Sequence, residues 1–258
     1  MTDRSPETRG LGEGSLTSHI LELRDRLIKG LAAVVVLALP CIAYSNELFT
    51  LVAQPLIQQL PAGSKLIATS VVSPFMAPFK LSLYVALFLA MPVVLYQIWA
   101  FVAPGLYKHE RKFAAPLVLS SILLFYAGVA FAYFVVFPLM FQFFAATTPA
   151  GVTMMTDITQ YLDFVLILFL CFGLAFEIPI AVVLLTQTGL VKIEKLSESR
   201  GYVIIGIFIV AAILTPPDAV SQCAMAAPMW ILYEAGIIMS RIMSRVRKPA
   251  ARETAADA

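Results

Sequence analysis

Six apolar runs set the pattern of the chain, at about 28–45, 77–99, 115–140, 161–187, 201–214 and 221–240. A helix needs about 20 residues to cross a hydrocarbon core of about 30 Å, so the first four runs are adequate. The fifth rises only about 21 Å as a helix and falls short. It either thins the membrane around it or has its ends shielded by protein; a re-entrant hairpin of the last two runs is the alternative. The pattern predicts an all-α polytopic membrane protein of six transmembrane helices, with short fifth and sixth helices. Residues 16–245 form the membrane domain, and 1–15 and 246–258 are expected to be disordered.

The connections between runs differ in character. Residues 46–76 contain Pro55, Pro61, Gly63, Pro74 and Phe75, too apolar a mixture for a flexible linker, and are expected to pack as short helices over the bundle ends. The stretch near 145–160, with Pro149, Gly151 and Asp157, is expected to form a smaller part of the same cap. Thr215-Pro216-Pro217-Asp218 ends the fifth helix with two prolines, and Asp218 can cap the sixth, with or without offering its carboxylate to a partner. Pro92, Pro138, Pro179 and Pro228 fall inside runs, where proline is commoner than in soluble helices.

Composition agrees with this pattern: 60% of residues are hydrophobic and 13% charged, against about 25% charged in a soluble domain. Mean hydropathy is +0.88. Charge then adds orientation. Apart from Lys65 and Lys80, all of the 18 Lys and Arg lie before or at the very start of the first run, between the second and third, between the fourth and fifth, or after the sixth. The positive-inside rule therefore places both chain ends in the cytoplasm. Cys41, Cys171 and Cys223 are odd in number and sit in apolar stretches, so they read as small buried hydrophobes rather than disulfides or metal ligands. The stretch before residue 27 lacks an apolar core and carries acidic residues, unlike a cleavable signal or transit peptide.

Four places could carry chemistry. In Ser18-His19-Ile20-Leu21-Glu22-Leu23-Arg24-Asp25-Arg26, helical spacing puts Leu16, Ile20, Leu23 and Leu27 on one stripe, with His19, Glu22 and Arg26 beside it. Alone, this is an interfacial lead-in whose Glu22 and Arg26 make an ordinary i,i+4 pair. Glu110 follows the second run on the same side. Two carboxylates held rigidly could take two guanidinium groups by forked hydrogen bonds, a geometry Lys meets poorly. Glu177 is the most costly residue, a carboxylate in mid-run worth at least about 2.5 kcal/mol on insertion scales. It reads either as an acid making one interhelical hydrogen bond or as a partner or polar-cavity residue, beside a carbonyl of Ala175 that Pro179 deprives of its donor. Glu234 lies near the end of run six, two turns from Arg241, and is expected to be structural.

Taken in order, His19-x-x-Glu22-Leu23-Arg24, Phe101-x-x-Pro104-x-Leu106-Tyr107-x-x-Glu110, Phe176-Glu177-x-Pro179 and Leu214-Thr215-Pro216-Pro217-Asp218 closely resemble the C subunit of the twin-arginine protein translocase, the TatC family. The resemblance covers about residues 16–245. It implies a receptor and core subunit binding the consecutive-arginine signal peptides of folded precursors, with Glu22 and Glu110 on the arginine pair and His19, Arg24 and Phe101 around them. It also implies that Glu177 and Pro179 face a concave membrane-embedded wall, and that Pro55 and Asp218 sit in periplasmic loops. Single-span TatA and TatB subunits, membrane lipid, an oligomeric complex in the bacterial inner membrane and the proton-motive force are implied with it. No nucleic acid, cofactor, metal or catalytic residue is expected, since His19 and His109 both lie in cytoplasmic segments. The rival from another class is a proton-coupled secondary transporter using Glu177, which would need a second buried polar partner in the spans.

Overall fold

The computed structural model describes residues 10–57, 65–102, 114–149, 155–214 and 219–256. Ten helices and two short strands are formed there: α1 Gly10–Ala43, α2 Ser45–Ile57, β1 Lys65–Ile67, α3 Ser73–Val102, α4 Ala114–Phe131, α5 Phe137–Thr147, β2 Met155–Asp157, α6 Ile158–Ala175, α7 Ile178–Gln187, α8 Ile193–Glu198, α9 Arg200–Leu214 and α10 Ala219–Ala256. Among the described residues, five segments are long and apolar enough to cross a membrane: Ile20–Ala43, Ser73–Val102, Pro116–Thr147, Ile158–Gln187 and Ala219–Ser244. The shorter apolar helix Arg200–Leu214 occupies the fifth run. The protein is a multi-pass all-α membrane protein.

One expectation needs correction. The sixth helix is not short: α10 has 38 residues. Its polar continuation is helical too, α10 running to Ala256, and α1 begins at Gly10. Arg, Lys and Ala are good helix formers once an apolar span has nucleated the helix, so polarity alone does not end it.

Prolines shape two of the spans. Pro138 lacks an N–H and would press on the carbonyl four residues back, and the chain meets this with a π-helical turn at Ala132–Val136 just before it. Phe137 N–H donates to the carbonyl of Ala132, one residue wider than the α spacing. At Pro179 the span is broken outright, α6 ending at Ala175 and α7 beginning at Ile178. This broken span is also the central one: 61% of its most apolar window is buried, against 17% for α1.

α1 and α3 run antiparallel. A Cβ on Gly30 would lie 3.8 Å from Val94 Cγ2, while Ala38 and Cys41 cluster with Ala86. α4 crosses α6 at two glycines: a Cβ on Gly128 would come within 2.5 Å of the Phe172 carbonyl oxygen, and one on Gly173 within 2.6 Å of the Phe125 ring. Phe125 and Phe172 are fully buried at this crossing, and Phe137, Tyr161 and Leu162 continue the buried core toward the start of α6.

At the end opposite to residue 20 the two connections join in one cap, through a strand pair in addition to the helix α2 rather than by short helices alone. β1 pairs with β2 in parallel, Leu66 opposite Thr156. Asp157 ties the cap to the spans: Oδ1 accepts from the amides of Thr159 and Gln160 at the start of α6, and Oδ2 accepts from the Thr69 amide at 2.9 Å and hydroxyl at 2.6 Å. The Thr69 hydroxyl foremost, then these amides, hold the Asp157 carboxyl well below the usual carboxylate range. A folded-state pKa depressed below the unfolded value of about 3.9 stabilises fully above that pH and is lost only as pH falls through the lower value. Hydrogen exchange should therefore find the Thr69, Thr159 and Gln160 amides protected from neutral pH down to about 4. Asp157→Ala should expose all three at neutral pH; protection unchanged in that variant would refute the role of the carboxylate.

Candidate functional site

Glu22 lies in the first half of α1, its side chain 38% exposed. Both its hydrogen bonds fall on Oε1, from Arg26 Nε at 2.9 Å and Nη2 at 2.6 Å. The ordinary i,i+4 pair is thus present. Such a pair is worth only a few tenths of a kcal/mol, so a second guanidinium with better geometry can displace or share it. Arg24 is instead turned to Asp25, its Nη2 2.9 Å from Oδ1, with both side chains mostly exposed. The apolar stripe beside Glu22 is open as well: Ile20, Leu23 and Leu27 are 63%, 46% and 70% exposed.

The α1–α3 pairing sets what can stand near Glu22. Counting from the Gly30–Val94 contact, Glu22 lies about 12 Å along α1 and Phe101 about 10 Å along α3 in the same direction. Phe101, partly exposed in the last turn of α3, therefore shares the end and level of Glu22. His19 is in the same helix as Glu22. Glu110, with Pro104, and Asp218 lie outside the described residues, and Pro55 is placed in α2. The structure thus brings Glu22, Arg24 and Phe101 to one end.

Glu177 sits apart from them, partly buried at the break between α6 and α7. Its Oε2 accepts a 2.5 Å hydrogen bond from Ser121 Oγ on α4, and Ser121 Oγ accepts from Trp99 Nε1 on α3 at 2.7 Å. Oε1 is buried and without a hydrogen-bond partner among the described residues. Pro179, at the second position of α7, is buried against α10, where a Cβ on Gly236 would come within 2.9 Å of its Cα.

Three polar arrangements were not read from sequence. Ser121 and Trp99 lie in apolar runs with nothing local to mark them, although a serine and a tryptophan in two of the runs are donors an isolated mid-run acid requires. Lys80 on α3 and Asp163 on α6 form an ion pair at 2.7 Å, each 38% exposed. Glu234 does not look toward Arg241: Arg200 at the head of α9 forks onto it, Nη2 to Oε2 at 2.8 Å, while Arg241 donates to Ser197. Arg241 shares the face of Glu234 but stands about 10 Å further along α10, whereas Arg200 at the start of the neighbouring helix meets the carboxylate directly with its fork. Among the described residues, no group of three His, Cys, Asp or Glu could hold a metal ion.

A family model described as Sec-independent protein translocase protein (TatC) matches residues 18–228. The chain belongs to the TatC family. The TatC protein of Azotobacter chroococcum mcd 1 is 54% identical over 238 residues, covering 92% of this chain and 93% of its own. That of Escherichia coli K12 is 53% identical over 226 residues, 88% of each chain. A crystal structure described as the twin-arginine translocase receptor TatC matches with a TM-score of 0.80 at 37% identity, covering 88% of this chain and 99% of that one. As a TatC protein, the chain is a component of a Sec-independent protein translocase and not an enzyme. The small-solute transporter alternative gives way to this membership.

Proposed function

We propose that this TatC protein is the receptor and core subunit of a twin-arginine translocase in the bacterial inner membrane. In this reading both chain ends are cytoplasmic, TatA and TatB single-span subunits assemble on it, and export draws on the proton-motive force. Glu22 and Glu110 grip the two arginines of a signal peptide, with His19, Arg24 and Phe101 around them. The apolar part of the signal then enters the bundle toward Glu177 and Pro179.

The observation that carries this is the placement of Glu22: a half-exposed carboxylate on a helix whose apolar stripe is also exposed, at the level of Phe101. A signal peptide offers two guanidiniums followed by an apolar segment, and this surface offers the complement of both. An exposed ion pair alone is worth about 0–1 kcal/mol, so affinity requires both carboxylates and the apolar contact together. The Pro55 and Asp218 segments would then face the periplasm, where the precursor emerges.

The test is photo-crosslinking of a precursor with a paired-arginine signal to the protein in membrane vesicles. Glu22→Ala with Glu110→Ala should lower the crosslink at least tenfold, and each single Gln variant should lower it less. Exchanging the signal's arginines for lysines should lower it comparably in the unaltered protein and add little in the double variant. Undiminished crosslinking in the double alanine protein would sink the two-carboxylate site.

A further inference from the structure

Trp99, Ser121 and Glu177 come from three different segments, α3, α4 and the α6–α7 break, yet form one chain of hydrogen bonds. Its direction is fixed by donor chemistry. The indole N–H can only donate, so Ser121 Oγ is its acceptor, and the single hydroxyl proton of Ser121 is left for Glu177 Oε2. The neighbouring Ser120 shows the usual alternative, its hydroxyl turned back to the Leu117 carbonyl at 2.8 Å. Ser121 is fully buried and bridges instead.

The carboxyl is held from below as well. Pro179 fixes the start of α7, and the close contact with Gly236 leaves its backbone no room to shift. With one oxygen tethered and the backbone clamped, Oε1 is the oxygen left to meet a donor. We propose that Ser121, held by Trp99, is a positioning residue that orients the Glu177 carboxyl so that Oε1, enclosed in this structure, is the oxygen that takes a donor when a signal peptide enters the bundle beside it. This rests on the reading of Glu177 as a contact for the signal peptide or a partner. A buried serine that merely satisfied an acid would contribute to folding without setting where the acid points.

The full chain in lipid vesicles tests this with two measurements. One is the infrared carboxyl band assigned to Glu177 by its loss in Glu177→Gln. The other is crosslinking of a paired-arginine signal peptide to a photoreactive side chain at Leu174, an exposed position one turn before Glu177. Ser121→Ala should shift the band and lower the crosslink about tenfold, the scale of one hydrogen bond. Ser121→Thr, which keeps the hydroxyl, should restore both, and Trp99→Phe should shift the band to a lesser extent. If Ser121→Ala does not fold, the Trp99→Phe shift carries the test, and its absence overturns the proposal.

An unmoved band in folded Ser121→Ala overturns the tether. A moved band with crosslinking lost only in Glu177→Gln overturns the positioning role. A moved band with crosslinking intact in both variants upholds the tether and refutes the functional reading of Glu177 itself.

Discussion

Gly128→Ala is expected to unseat α4 from α6. The added methyl carbon would stand 2.5 Å from the Phe172 carbonyl oxygen and 3.0 Å from Gly173 Cα, both backbone atoms of the central span. No rotamer change relieves a contact with backbone, so the helices must separate. In lipid the consequence is larger than the loss of one contact, because apolar surface gains little by leaving acyl chains for protein. Association rests on close packing, and small residues at crossings provide it. A cost of about 3 kcal/mol, the upper part of the overpacking range, is expected. For a chain of this size that lowers the thermal midpoint by about 6–12 °C. Heating the detergent-solubilised protein measures it. Gly201→Ala, where a Cβ would meet nothing within 4 Å, serves as the control and should leave the midpoint unchanged or raised. Equal midpoints for the two variants would mean that the glycine crossing does not hold the bundle.

The Lys80–Asp163 pair should show a strong and asymmetric coupling. Both residues lie within spans, on α3 and α6, and the Nζ reaches both carboxylate oxygens, at 2.7 and 3.0 Å. Removing either partner strands the other in a poorly solvated place, and the two are not equally able to escape. The Cβ of Lys80 points toward the N-terminal end of α3, the end carrying the cap, so its long side chain can reach the interface when Asp163 is gone. Asp163 has no such reach when Lys80 is gone. Lys80→Ala is therefore expected to cost about 2–3 kcal/mol, Asp163→Ala about 1–2, and the double alanine variant less than Lys80→Ala alone. The partial exposure of both side chains keeps these figures below those of a fully buried pair. Thermal midpoints of the three variants give the double-mutant cycle, and additive losses would refute the coupling.

What the chain discloses at a glance differs from what it hides for a definite reason. The apolar runs and the cap nature of both long connections are properties of single segments, visible as period, length and proline placement; that Pro179 breaks its span rather than kinking it is not. Glu22 and Glu177 stand out on the same grounds, one beside an apolar stripe and one inside a run. Ser121, Trp99, Lys80 and Asp163 do not. Each acquires meaning only from the rotation and height of one helix against another, and these are set by the glycine crossing and the α1–α3 register, which no single segment contains. Glu234 illustrates the same limit: its companion on its own helix was readable, and the Arg200 that displaces it belongs to the neighbour. The length of α10 was misread because hydropathy marks where lipid ends, not where a helix does.

The parallel pairing of β1 with β2 has a consequence for how the protein is made. Thr69 and Asp157 are 88 residues apart. At ordinary elongation rates of about 5–20 residues per second, β1 waits about 4–18 s for its partner to be synthesised. Both strands must by then have been delivered to the same face of the membrane, which requires α3, the α4–α5 span and β2 to have been threaded in the correct alternation. A chain with one span inverted would put Asp157 on the wrong side of the bilayer from Thr69. Closure of the cap therefore requires every span between Thr69 and Asp157 to be in place.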